Sequence, residues 1–200
     1  MPRQPHGGAR NSASRTSDWI PLAKAELLIV AARMAPALGL PFTRHITVHW
    51  EAAGVSDAQA GAATTAFLKY VREWLGGATA YVWTRENGEG KGSHLHILAH
   101  IPRGRQLSGA QSRRWITQVT GQPYCAGTIL TARLTGYGDP AGPLYAANLQ
   151  TVVAYVLKGT EPVAAAALGI RHEPGGTIIG KRCGTSRNIG KAAQEGMRHG

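Results

Sequence analysis

An α+β fold, with a mainly antiparallel central sheet flanked by helices, is what this sequence predicts. Three observations lead there. Apolar spacing switches repeatedly between the helical period of about 3.6 residues and the two-residue alternation of strands. Two strand-like runs, Ala78–Glu86 and Ser93–Ile101, are joined by the Gly-rich stretch Asn87–Gly92, so at least one pair is a hairpin rather than a parallel crossover. The chain has 200 residues, which suits one domain with tails and one sizeable core.

Residues 1–18 are polar, with Arg3, Arg10 and Arg15 among Ser, Gly and Pro, and are expected to form a disordered basic arm. Trp19–Met34 carries Leu22, Glu26, Ile29, Val30 and Arg33 at helical spacing, and Pro36 and Pro41 are expected to end that helix. Pro41–Trp50 holds β-branched and aromatic residues and reads as a strand. Ser56 is a candidate N-cap for a helix reaching about Leu75, with Ala63, Phe67, Tyr70, Val71 and Trp74 on its apolar face. The hairpin follows, with Asn87-Gly88 as its turn signal. Leu107–Val119 reads as a helix and Gly127–Leu134 as a strand. After the loop Gly136–Pro143, Leu144 to about Lys158 reads as a helix. Residues 19–170 form the expected folded domain. Residues 171–200, basic and Gly-rich from Gly175 onward, are expected to be a weakly ordered tail.

Lys and Arg number 22 against 11 Asp and Glu, a net charge of +11. So large a surplus on so short a chain points to a polyanion, nucleic acid first. The only cysteines, Cys125 and Cys183, give neither zinc-finger spacing nor a disulfide framework, which fits a reducing cytoplasm. The longest apolar stretch, Ala25–Leu40, is broken by Glu26, Arg33 and Pro36. No membrane span is expected, and the polar N-terminus lacks the apolar core of a secretory signal. Gly175–Arg182 nearly spells a phosphate-binding P-loop. Arg182 stands where the Mg²⁺-binding Ser or Thr is required, so no ATPase is expected.

The chemistry is concentrated in His94-Leu95-His96. On a strand, His94 and His96 share one face, where two imidazoles can chelate a divalent metal. Taken alone, such a pair is more often two plain strand histidines. Glu86 changes the weighing: it sits on the facing strand of the hairpin, in the alternation of Val82 and Thr84, and can reach the histidine face. Two histidines and a carboxylate leave metal positions open for a phosphate and water. Glu89, in the loop, is the fallback third ligand. His45 and His49, which alternate with Thr47, could also replace Glu86. Tyr155 and Lys158 stand three residues apart on the last predicted helix and are therefore neighbours. An ammonium beside a tyrosine, whose free pKa is near ~10, favours its use as a nucleophile. Two basic groups are candidates for DNA phosphates: Arg103, Arg105, Arg113 and Arg114 after the histidine strand, and Lys181, Arg182, Arg187 and Lys191 near the C-terminus.

The strand at Phe42–Trp50, then Glu86-Asn-Gly-Glu-Gly-Lys-Gly-Ser-His-Leu-His96, then Tyr155-x-x-Lys158-Gly159 resemble, in that order, the three motifs of HUH endonucleases. The match is best to the single-tyrosine initiators of rolling-circle replication in phages, plasmids and small DNA viruses, and covers roughly residues 41–160. The resemblance implies a Rep-like sheet carrying a metal site and a tyrosine. It implies Mn²⁺ or Mg²⁺ held by His94, His96 and Glu86, with Tyr155 as nucleophile and Lys158 assisting. The implied activity is nicking one DNA strand through a 5′-phosphotyrosine, freeing a 3′-hydroxyl for synthesis, and later rejoining. The implied partners are single-stranded DNA, an origin hairpin and host replication machinery. The first motif, Ile46-Thr47-Val48, matches only as an apolar and Thr strand. Three-histidine sites are typical of relaxases, so a mobilisation relaxase or single-strand transposase shares the chemistry. A basic DNA-binding module without catalysis is the reading from another class. Thr151 and Gly159 occupy the positions one turn from Tyr155, which disfavours a two-tyrosine site; Tyr145 reads as a packing residue.

Overall fold

The computed structural model describes residues 15–77, 79–90 and 92–198. In chain order the elements are β1 (Thr16–Ser17), α1 (Leu22–Ala37), β2 (Arg44–His49), α2 (Asp57–Leu75), β3 (Tyr81–Gly88), β4 (Gly92–Ala99), α3 (Gly109–Thr120), β5 (Ile129–Arg133), α4 (Pro143–Val156), α5 (Pro162–Ala167), β6 (Ile178–Ile179), β7 (Cys183–Thr185) and α6 (Lys191–Arg198). Five strands form one antiparallel sheet in the order β5-β2-β4-β3-β7, and β1 pairs with β6 in a separate ribbon. The fold is α+β with helices on both sides of the sheet. No helix among the described residues is long and apolar enough to cross a membrane.

Alternation along the strands sorts the side chains into two layers. Ile46, Val48, Leu95, Ile97 and Trp83 pack with Phe67, Val71 of α2 and Trp115, Ile116 of α3. On the reverse face Val82, Leu98 and Cys183 pack with Leu28 and Ala32 of α1 and Leu149 and Val153 of α4. Helix α2 starts as its sequence predicts: Gln59 Oε1 reaches back to accept hydrogen bonds from the Ser56 backbone N–H and hydroxyl.

Several expectations are corrected. Pro36 lies inside α1, in its last turn, rather than beyond it. Only one ladder bond remains to be lost there, and the helix closes at once with Gly39, at φ 72°, bonding back to Pro36 O. The hairpin ladder runs through Asn87 and Gly88, which pair with Ser93 and Gly92, so the reversal falls after Gly88. The helix carrying Tyr155 ends at Val156, and Lys158 sits in the turn that follows.

The C-terminal segment is not a loose tail. Its β7 is the edge strand beside β3, and α6 is tied to α1 by Gln194, whose side-chain amide donates to Leu27 O at 3.1 Å. Two buried arginines hold its backbone. Arg85 donates to Ile179 O and Lys181 O, and Arg182 donates to Ser17 and to Gly176 O. The near-P-loop glycines serve a close crossing: a Cβ on Gly176 would lie 1.7 Å from Asn87 O. The predicted basic arm lies outside the described residues over 1–14, while Thr16 and Ser17 are paired as β1 against β6.

Candidate active site

The register places the chemistry. Glu86 lies directly opposite His94 across β3–β4, and Thr84 opposite His96. On the other side of β4, His49 faces His94 and Thr47 faces His96. Cross-strand partners share a face, so His45, His49, His94, His96 and Glu86 occupy one half of the α4 side of the sheet. All three predicted ligands are buried: Glu86 is 7 % exposed, His94 6 % and His96 3 %.

Each group is held from a different direction. The His94 Nδ1–H donates to Gly92 O at 2.7 Å, which leaves Nε2 with its lone pair. His96 Nδ1 shares hydrogen bonds with His45 Nε2 at 3.3 Å and Thr47 Oγ1 at 3.2 Å, while its Nε2 lies 3.7 Å from Glu86 Oε2. The His94 and His96 rings are parallel within 3°. Lys158 Nζ donates to Glu86 Oε2 at 2.5 Å and lies 4.7 Å from the centroid of the Tyr155 ring. Tyr155 meets His96 and His45 edge-on, at centroid distances of 5.4 and 5.8 Å, and stays 47 % exposed. Thr84, fully buried, donates to Val156 O at 2.9 Å and so anchors the end of α4 next to Tyr155.

The electrostatics follow from this packing. Burial pushes the Glu86 carboxyl up, but His96 and Lys158 more than offset it and hold it below the usual range. Burial pushes His45 down to about 4, helped by the charges of His96 and Lys158. Burial likewise lowers His94, with His49 adding to the effect. His45 and His94 are therefore neutral at neutral pH, the form that ligates metals.

Two imidazoles and a carboxylate fit a divalent cation by donor type, and Glu86 Oε1 is buried with no hydrogen-bond partner among the described residues. Among the described residues no three His, Cys, Asp or Glu side chains are gathered closely enough to hold an ion, and the cation now beside Glu86 is the Lys158 ammonium. His45 and His49, read from sequence as substitutes for Glu86, stand across β4 from it, His45 against His96 and His49 against His94. Glu89 is exposed on the hairpin turn, lining an acidic cleft with Glu51 and Asp57. Tyr145 is buried and donates to Phe42 O at 3.1 Å; burial raises its hydroxyl to about 12.

The predicted phosphate-binding residues are not gathered around the histidines. Arg105 stacks on Trp74 of α2, and Arg113 on Tyr124, both in the layer on the opposite face of the sheet; Arg114 is exposed on α3. Arg103 reaches the loop after β5, donating to Gly138 O at 2.9 Å. Lys181 lies over Trp83, Arg187 lines a cleft with Arg72, and Lys191 pairs with Glu195 on the surface. Arg182 is 5 % exposed and donates inward, from Nε to the Ser17 hydroxyl and from Nη2 to Ser17 O and Gly176 O, so it does not face a DNA phosphate. The sequence places Thr84 and Thr47 on the face of the site residues but assigns them no role there. Their signal was present in the alternation they share with Glu86 and with His45 and His49.

No family model, no curated protein and no solved structure matches the chain.

Proposed function

We propose that the chain is a metal-dependent, single-tyrosine HUH endonuclease that nicks and rejoins single-stranded DNA to initiate rolling-circle replication. The observation that supports this most is the contact chain Tyr155–Lys158–Glu86–His96, in which an exposed tyrosine meets a buried carboxylate and imidazole through one ammonium. These groups arrive from α4, the turn after it, β3 and β4. A pure binding module has no use for burying them together.

Tyr155 Oη attacks the scissile phosphorus. A bond from phosphorus to Oη forms as the bond to the 3′-oxygen breaks; the phenolic proton passes to solvent and the 3′-oxygen takes one up. The phosphodiester is exchanged rather than hydrolysed, so rejoining needs no ATP. Lys158 stabilises charge that develops on the transferring phosphoryl oxygens. Glu86 holds Lys158 next to Tyr155, and Thr84 fixes the helix end that carries the tyrosine. His94, His96 and Glu86 would hold Mn²⁺ or Mg²⁺, which polarises the scissile phosphate when bound.

Incubation with single-stranded DNA and Mn²⁺, followed by a denaturing gel, tests this. The wild type is expected to give a covalent protein–DNA band, Tyr155→Phe none, and Tyr145→Phe an undiminished one. A wild type without adduct, or an adduct in Tyr155→Phe, overturns the reading.

His45 and His49 support a second reading of the same chemistry, a relaxase-like site with three histidines. In that case Glu86→Gln retains adduct formation and His45→Ala or His49→Ala loses it.

A further inference from the structure

The β5 edge carries a charge arrangement that the cluster above does not use. Arg44 on β2 and Arg133 on β5 are direct cross-strand partners. Like charges in that position destabilise a sheet. Both guanidiniums nonetheless gather over one ring, Tyr137, at 5.9 and 5.4 Å from its centroid, and Arg133 donates to the Tyr137 hydroxyl at 3.0 Å. Arg103 arrives from the β4–α3 loop and donates to the neighbouring Gly138 O. Three guanidiniums from three segments thus surround two residues of one loop. None has an acidic partner: the ion pairs among the described residues are Lys69–Glu73, Lys191–Glu195 and those of Glu86 with Lys158 and His96.

We propose that Arg44, Arg103 and Arg133 form a phosphate clamp for single-stranded nucleic acid at the open β5 edge of the sheet. A planar fork that already stacks on an aromatic ring is pre-organised for a phosphate oxygen pair, which lysine is not. Burial and the neighbouring Arg133 charge both lower the Arg44 guanidinium, the cost that a bound phosphate dianion or diester relieves. The edge is open. Residues 130–133 are exposed, and Leu130, 58 % exposed, stands opposite Thr47 on the histidine face. Arg44 and His45 are consecutive on β2 and so leave the sheet on opposite faces, which puts the clamp at the β5 edge and across the sheet from the histidine cluster. The clamp rests on the nucleic-acid reading above but does not need strand cleavage.

Fluorescence anisotropy with a labelled single-stranded oligonucleotide in chelator, titrated over salt, tests the clamp without chemistry. The double variant Arg44→Gln/Arg133→Gln is expected to bind about tenfold more weakly at low salt, with a log–log salt slope shallower by about 1.4, from two lost phosphate contacts. Arg44→Lys/Arg133→Lys is expected to keep most of the slope, which a purely structural role would not restore. Lys24→Gln/Arg33→Gln on α1 removes the same charge and is expected to leave the slope within half that change. If the wild type binds and the Gln pair matches it, or matches only the α1 control, the clamp is wrong and the nuclease reading stands. If the wild type does not bind the oligonucleotide, both fail together.

Discussion

The two faces of the central sheet are built to different rules from the same five strands. Towards α2 and α3 the centre of β2 and β4 is apolar, with Ile46, Val48, Leu95 and Ile97, and polar side chains, Ser93 and Arg85, are buried only towards its end. Towards α4 only one half is apolar, where Val82, Leu98 and Cys183 meet α1 and α4. The other half presents His45, Thr47, His49, His94, His96, Thr84 and Glu86. The apolar face stabilises without direction, by area removed from water. Buried polar groups need partners on either face, and among the described residues Glu86 Oε1 on one and Ser93 Oγ and Arg85 Nη2 on the other have none. Buried charge is weak evidence for stability, since apolar replacements of similar volume often serve as well.

Deleting packing on the apolar face gives the largest stability effect. Ile97 is fully buried, and Ile97→Ala is expected to cost about 2–5 kcal/mol in a denaturant titration. A cost below about 1 kcal/mol would mean that this face is not the main source of stability.

The polar half is expected to show itself in acid. His45 is neutral when folded, with a pKa near 4, against about 6.5 unfolded. Above pH 6.5 neither state is protonated and stability is full. Between 6.5 and 4 only the unfolded chain takes the proton, so stability falls as pH falls, and the loss levels off below 4. For a half-buried ring the total is on the order of 2 kcal/mol after solvent screening. Thermal melts of the metal-free protein from pH 7 to pH 5 measure it, and His45→Gln is expected to flatten the slope. An unchanged slope in that variant would place the acid sensitivity elsewhere.

The smallest stability effect sharpens the comparison most. Thr84→Val keeps the shape of the side chain and removes its hydrogen bond to Val156 O. It is expected to cost only about 1 kcal/mol. Because that bond holds the end of α4 beside Tyr155, adduct formation is expected to slow about tenfold or more while oligonucleotide affinity stays the same. Equal losses in affinity and in rate would assign Thr84 to the core alone.

Relations within one element were legible before any tertiary structure. Alternation put His94 and His96 on one face, with Glu86 across the hairpin from them. Helical spacing made Tyr155 and Lys158 neighbours, a relation that survives although Lys158 lies beyond the helix end. Ser56, the apolar run of α2 and the Asn87–Gly92 reversal were read from local preferences that no distant contact overrides. Which strand lies beside which was not readable in this way. That β2 flanks β4, bringing His45 to His96 and His49 to His94, depends on burial shared by segments some fifty residues apart. The three-residue β7 is too short to show a period, and the glycines before it, Gly175 and Gly176, announce flexibility in a sequence. In the fold they serve a close backbone crossing at Asn87. Charge was the least legible property. A count of lysines and arginines marks a basic protein. Only packing buries Arg182 behind Glu86, scatters Arg105 and Arg113 to the far layer, and draws Arg44 and Arg133 around Tyr137. Long side chains go where neighbouring elements leave room, and that room exists only once the elements have met.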